Sequence, residues 1–458
     1  MFNNTFSESA EIRNITKPIS EGSGFVVPVG DELRVFDDYH HSIEYGRTGV
    51  GKSESGSGNT VQSICSRGES AVIVDPKGEL YARTKDMFEA SGYEIRCLDF
   101  RDPYKSQSFN PLAYSYHLYN SGKEEDIDTA MKICCDLAQT LFPDNPGLKE
   151  PFWNRSARNA TEGAMLLAMD ITCRPNDVNI SSVIRLLSTF GVSPSGSLLA
   201  GRSSARIEAA DASYMLMTNR ANDIIRQKLA TLYDSGDNVA RDIYSTALEP
   251  LQQFNRTKGQ KAIFEGNDIR IEEFSGDRKF AFFIITPDES KVFNMATGII
   301  LSQLSIHLIN EARKFPDGKL PIRVNFIVEE LGNIGGAFPN LPHLMTAGRS
   351  RNIRMFLVVQ SFTQLCQVYG PNEAETIRSN AGLSIVFSTH DPATSELYSR
   401  LCGRREILTP YGPKEENLIE PCAISGLRTG QALIMLNEYK FVANLPRFDH
   451  VKQKLESA

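Results

Sequence analysis

The residues with the plainest chemical purpose are Gly46, Arg47, Thr48, Gly49, Val50, Gly51, Lys52 and Ser53. They satisfy G-x-x-x-x-G-K-[S/T] without a mismatch, a spacing that suits a chain of phosphates. Glycines let successive backbone N–H groups curl round a β-phosphate, Lys52 reaches the β- and γ-phosphates, and the Ser53 hydroxyl holds Mg²⁺. The helix that follows, opening at Glu54, turns its positive end toward the same anion. Gly46 to Glu54 is thus the expected nucleotide-binding stretch. A plain glycine-rich turn is the competing reading, and the strand before the loop argues against it. Gly56 and Gly58 are odd in this place, because each weakens an opening helical turn by roughly 1 kcal/mol.

An enzyme that cleaves a nucleotide also needs a carboxylate for the Mg²⁺ water shell and another to orient the attacking water. Glu329 and Glu330 follow the apolar run Phe326 to Val328 and offer such a pair, one facing the metal and the next the γ-phosphate. Two glutamates at a helix N-terminus would look the same. Gln360 ends another apolar run, where a polar tip can sense the γ-phosphate; a turn residue is the alternative. Arg349, Arg351 and Arg354 lie just before that run. An arginine there can reach a neighbouring subunit's nucleotide or a DNA phosphate, or simply line a solvated turn.

Parallel strands must place these groups together. FVVPVGDELRVFDD alternates like a hairpin around Val29-Gly30-Asp31-Glu32. SIEY leads into the glycine loop, Ala71 to Val74 is uniformly apolar, ELYARTKDMFEASG has helical periodicity, and YEIRCLDF is again strand-like. That succession specifies an α/β fold with helices on the faces of a mostly parallel sheet. From about 123 to 245 the segments read as amphipathic helices separated by Asn, Gly and Pro: DIDTAMKICCDLAQTLF, FWNRSARNATEGAMLLAMDI, NISSVIRLLSTF, SYMLMTNRANDIIRQKLATLY and RDIYSTALEPLQQF. Strands resume with KFAFFIITPD, VNFIVEE, IRMFLVVQS and LSIVFSTHD. The expected layout is a flexible arm over 1–22, a first part of a nucleotide-binding domain over 23–122, an inserted all-α domain over 123–245, and the second part over 246–458.

Composition sets limits. With 458 residues, 41% hydrophobic and 23% charged, the chain is neither disordered nor fibrous. Its 49 basic and 56 acidic residues leave a net charge of −7, so duplex DNA is not coated by the whole surface; nucleic acid would need a local patch or an assembled channel. The eight cysteines form no C-x-x-C pair and no zinc spacing, as in a reduced cytosolic protein. Unbroken apolar runs such as Ala281 to Ile285 are only a few residues long, so no bilayer-spanning segment is expected.

Taken in order, GRTGVGKS, GESAVIVDPKGELY, SFNPL, PFWNRSA, FFIITPDES, FIVEELGNIG, MTAGRSRNIRMFLVVQS, YGPNEAETIRSN and STHDPATSELYS resemble a type IV secretion coupling protein of the TraG/TraD conjugation family. The resemblance spans about residues 40 to 445. It implies a RecA-like P-loop NTPase core and a hexameric, ATP- and Mg²⁺-dependent motor. The motor would present relaxase-bound single-stranded DNA, or protein substrates, to a secretion channel. By the same resemblance Glu330 is the catalytic Walker B glutamate, Gln360 the sensor, and Arg349 a finger acting across a subunit interface. The helical insertion meets DNA or substrate proteins, and Asp75 and Lys77 play a supporting part.

The chain departs from that family in three ways. Glu329 stands where the family has aspartate, one methylene shorter. The expected transmembrane helices are missing, which implies either a naturally soluble member at the cytoplasmic face of the membrane, with a separate membrane-anchor partner, or a trimmed chain; in isolation a monomer is expected. ESGSGN replaces bulkier residues after the loop. A nucleotide-binding receptor or scaffold with slow hydrolysis is therefore the second reading. A translocase like septal FtsK or the HerA group is the third, and SFNPL, PFWNRSA and the long insertion count against it.

Overall fold

The structure is a computed structural model, and it describes residues 5–37, 40–144, 150–172, 174–191, 223–287 and 290–457. The chain divides into two compact units, one of residues 1–97, 274–298 and 304–458, the other of 98–273 and 299–303.

In the first unit β1 (Lys17–Pro18), β2 (Phe25–Val29) and β3 (Glu32–Phe36) form a small antiparallel sheet, with Val29 opposite Glu32 across the expected hairpin turn. The larger sheet is built from β4 (Ser42–Tyr45), β5 (Ser70–Val74), β6 (Glu94–Asp99), β7 (Phe280–Ile285), β8 (Val324–Val328), β9 (Ile353–Val359) and β10 (Leu383–Val386). A protruding hairpin, β11 (Arg404–Thr409) and β12 (Gly412–Asn417), stands apart, and β13 (Gln431–Leu436) and β14 (Tyr439–Asn444) complete the larger sheet. Its order is β14-β13-β10-β4-β9-β8-β5-β7-β6.

From β10 to β7 every pairing is parallel, and β13 and β14 are added antiparallel at one side. β5, β7, β8 and β9 are buried along their whole length, which is why they read as apolar runs rather than alternating ones. This order decides the position of the site. β4 and β5 are consecutive in sequence, but β9 and β8 lie between them. Four parallel strands therefore finish side by side, carrying the glycine loop, Gln360, Glu329-Glu330 and Asp75.

Two expectations are corrected. The 1–22 arm is not loose among its described residues. Ser9–Asn14 is helical, Ile12 and Ile19 are buried, and Arg13 pairs with Glu32 at 2.6 Å. Its few isoleucines face inward although the stretch is polar on average. Second, helix Lys291–Ala312 contains a segment, Val292–Ala312, long and apolar enough to cross a bilayer. Counting unbroken runs missed it because Asn294, Thr297, Ser302, Gln303, Ser305 and His307 interrupt the pattern, yet these too are buried, along with 78% of its most apolar window. The burial is that of a core helix.

The second unit takes in the whole 123–245 stretch and its flanks, and beyond Asp99 its described residues contain no strand. Helices Glu124–Leu141, Pro151–Ile171, Ile180–Gly191 and Asp237–Gln252 match four of the expected segments. The fifth is helical over Asp223–Tyr233, and its earlier part lies outside the described residues. Glu162, buried on the longest of these helices, is neutralised by Lys228 at 2.7 Å.

Candidate functional site

The glycine loop leaves β4 and returns to a helix. Arg47, Thr48 and Gly49 stand exposed at its crest, while Val50 turns inward to pack with Ile385 and Phe387. Gly51 has φ 98°, a conformation that a side chain would strain. Lys52 is buried, and its Nζ turns back across the loop to donate to the carbonyls of Gly46 and of Arg47, the latter at 3.3 Å. Burial lowers its pKa, and the charges of Glu330, Glu44 and Glu329 pull the other way. The loop forms one wall of a cavity of about 500 Å³, shared with Ser53, Glu54, Lys77, Arg83, Glu330 and Arg447. That volume is within the usual range for a small-molecule site.

The turn after the loop is wide. The Gly58 N–H reaches back five residues to the Ser53 carbonyl, and Lys52–Ser57 is coiled in this looser fashion before the regular helix Gly58–Ser66 begins. Such local widening is typical of functional sites. It also explains Gly56, whose lack of a side chain makes room for a carboxyl group: a Cβ there would lie 2.3 Å from Glu44 Oε2. Glu44, on β4, is wholly buried, and neither of its oxygens has a hydrogen-bond partner. Burial, reinforced by the charge of Glu329, pushes its pKa up to about 8, against the pull of Lys52. Sequence reading passed over Glu44. The signal was there, a lone acid in the strand SIEY whose neighbours are uncharged.

At the end of β8 the two glutamates part. Glu329 turns under the loop helix, is buried, and accepts a hydrogen bond from Ser57 Oγ at 2.6 Å. Burial pushes its pKa up to about 7; hydrogen bonds from Ser57 and Ser53 oppose this, and the charges of Asp75 and Glu330 add to it. Glu330 faces the cavity in a left-handed backbone conformation, φ 49°, and accepts from Gln360 Nε2 at 3.0 Å. Such a backbone costs on the order of 1–3 kcal/mol and clusters at working sites. Asp75, at the end of β5, is buried and accepts from the Tyr81 N–H at 2.8 Å. Ser53 and Glu329 are close enough to interact, and together they offer the hard oxygen donors that Mg²⁺ prefers.

Lys52, Ser53, Glu329, Glu330 and Gln360 thus converge. Glu54 has another partner, Arg83, at 2.5 Å, and that guanidinium stacks on the Phe448 ring. Arg349 does not join them. It is exposed in a turn at the start of β9, the far end from Gln360, and seven strand residues span roughly 23 Å. Arg354 is excluded from any phosphate contact, because it is buried and holds Glu69 at 3.0 Å, Asn325 at 2.8 Å and Ser23. Ser57 was also missed: nothing in sequence signals a partnership with a residue 272 positions away.

A family model described as type IV secretory system conjugative DNA transfer matches residues 7–407. Among solved structures, the unbound bacterial conjugative coupling protein TrwBdeltaN70 is 17% identical, with a TM-score of 0.66 over 97% of this chain and 93% of that one. The plasmid coupling protein TrwB in complex with the non-hydrolysable ATP analogue ADPNP is 18% identical, with a TM-score of 0.67 over 97% and 94%. VirB4 of Thermoanaerobacter pseudethanolicus is 12% identical, with a TM-score of 0.55 over 93% and 96%. No curated protein has significant sequence similarity to the chain. These likenesses establish the fold as a RecA-like P-loop α/β core with a mostly parallel sheet.

Proposed function

The chain belongs to the type IV secretory system conjugative DNA transfer family, and from that premise we propose that it is an ATPase that drives relaxase-bound single-stranded DNA into a type IV secretion channel. The observation that carries the proposal is the hydrogen bond from Gln360 to Glu330 at the mouth of the glycine-loop cavity. It joins a residue able to sense a γ-phosphate to one able to orient water.

In this reading the loop N–H groups and Lys52 hold the β- and γ-phosphates. Ser53 and Glu329 hold Mg²⁺, which when bound neutralises charge on the phosphate oxygens. Glu330 orients the attacking water and takes up its proton, and Gln360 carries the state of the site into β9. The distance of Arg349 from its own cavity fits a finger supplied to the neighbouring subunit of a hexameric ring, where it would stabilise charge on the transferred phosphoryl group. The helical unit would receive the relaxase, and the ring would work at the cytoplasmic face of the membrane. A ring that threads DNA needs basic residues only along its channel, so a net charge of −7 is no obstacle.

The test is ATP turnover with and without single-stranded DNA. Stimulation by DNA, lost in Lys52→Ala, supports the motor. A wild-type rate no higher than that of Lys52→Ala sinks it. One observation favours a receptor with slow hydrolysis instead: Glu329, longer than the family's aspartate, is engaged by Ser57. If Glu329→Asp raises turnover, the extra methylene is a brake.

A further inference from the structure

Helix Phe362–Tyr369 starts two residues after Gln360, with Ser361 as its cap, and Gln364 in its first turn is used twice. Its backbone N–H donates to the capping hydroxyl of Ser361 at 3.0 Å. Its side chain turns back, and Oε1 accepts the backbone N–H of Gln360 at 3.1 Å. The same carboxamide lies flat on Gly332, two residues beyond Glu330. A Cβ on Gly332 would be 2.2 Å from Gln364 Cδ and 2.3 Å from its Nε2. The side chain of Gln360 meanwhile donates to Glu330. The ends of β8 and β9 are therefore joined at two places, through Gln360–Glu330 and through Gln364, across a turn whose backbone needs outside support to stay at φ 49°.

We propose that Gln364 is a positioning residue for hydrolysis: its carboxamide locks the end of β9 to the Glu330 turn and so fixes where Gln360 and Glu330 meet the nucleotide. The inference rests on reading the cavity as an ATPase site. A simpler role exists, since Ser-x-x-Gln is a helix-capping pattern. The two roles make different demands. Capping needs only an acceptor oxygen, which glutamate provides equally well. Lying against Gly332 beside Glu330 needs a neutral amide, because a second carboxylate there repels the first.

Gln364→Glu separates them. The expected result is a melting temperature within about 2 °C of wild type, an unchanged KM for ATP, and a kcat lower by roughly 10- to 100-fold, the scale of a catalytic group displaced by about 1 Å. Amide hydrogen exchange over residues 330–334 should quicken in Gln364→Glu and also in Gly332→Ala, which displaces the carboxamide from the other side. Wild-type kcat together with wild-type exchange in Gln364→Glu overturns the proposal and leaves a helix cap. If the wild type itself turns over no ATP, the ATPase reading fails, but the exchange measurement still decides whether Gln364 holds the turn.

Discussion

At the edge of the sheet where the strands end, acids are held in two different ways. On the β8–β9 side Glu330 is wired: Gln360 donates to it, Gln364 braces the turn beside it, and its carboxylate faces the cavity. On the β4 side Glu44 is only packed, wholly buried against Gly56 and without a hydrogen bond to either oxygen. A wired acid has a defined direction and can act on one atom of a substrate. A packed acid has none, and it acts through charge and volume on whatever surrounds it, here Lys52, Glu329 and the wide first turn of the loop helix.

The comparison is sharpest where the wired side is cut. Glu330→Gln keeps the shape of the turn and an oxygen for Gln360 but removes the base. Turnover should fall by about 10²- to 10³-fold, with nucleotide affinity from fluorescence titration within roughly threefold of wild type. A comparable loss of affinity would make Glu330 a binding group rather than a catalytic one.

The packed side should answer in stability rather than rate, and with a pH signature. The folded protein keeps the Glu44 proton up to about pH 8, whereas a carboxyl in its ordinary range releases it near 4.5. Between those values the folded state binds more protons, so this residue costs the wild type more stability as pH rises. Glu44→Gln, free of that penalty, should be more stable than wild type above pH 8, on the order of a few kcal/mol, with the advantage gone near pH 4. Denaturant melts in EDTA across that range measure it. A pH-independent difference would mean that Glu44 is paired after all.

Volume is the other half of packing. Gly56→Ala pushes a methyl group into the Glu44 carboxyl and should cost about 1–3 kcal/mol. Adding Glu44→Ala should recover most of the loss, and failure of the double variant to recover would detach Gly56 from Glu44.

These two sides were unequally legible in the sequence. The glycine loop, Glu330 and Gln360 could be read because each is a polar group at the tip of an apolar run, a local pattern. Glu44 and Gln364 left only weak local signs, a lone acid in SIEY and a Ser-x-x-Gln cap, because the contacts that matter come from distant parts of the chain: Glu329 for both Glu44 and Ser57, and Gly332 for Gln364. Two other places misled, one through its average polarity and one through its broken apolar runs. The polar N-terminal stretch hides the inward isoleucines Ile12 and Ile19, and helix Lys291–Ala312 hides its burial behind scattered polar side chains. In the first a few inward positions decided the structure; in the second burial takes in polar and apolar positions alike.

Glu54 provides the smallest test, since it is wired like Glu330 but toward solvent. Its carboxylate meets Arg83 at 2.5 Å, with 40% and 32% of the two side chains exposed. Arg83 lowers the Glu54 pKa through that bond, so the pair contributes above the ordinary glutamate range and is lost on acidification. Half-exposed pairs of this kind contribute roughly 0.2–1 kcal/mol and are screened by salt. Glu54→Gln should therefore lower stability by less than about 1 kcal/mol, and less again in 1 M salt. Arg83→Ala should cost more, because it also removes the stacking on Phe448. Equal losses for the two variants would assign the whole effect to the ion pair. A loss in Glu54→Gln that salt leaves untouched would show that the pair is shielded from solvent despite its exposure.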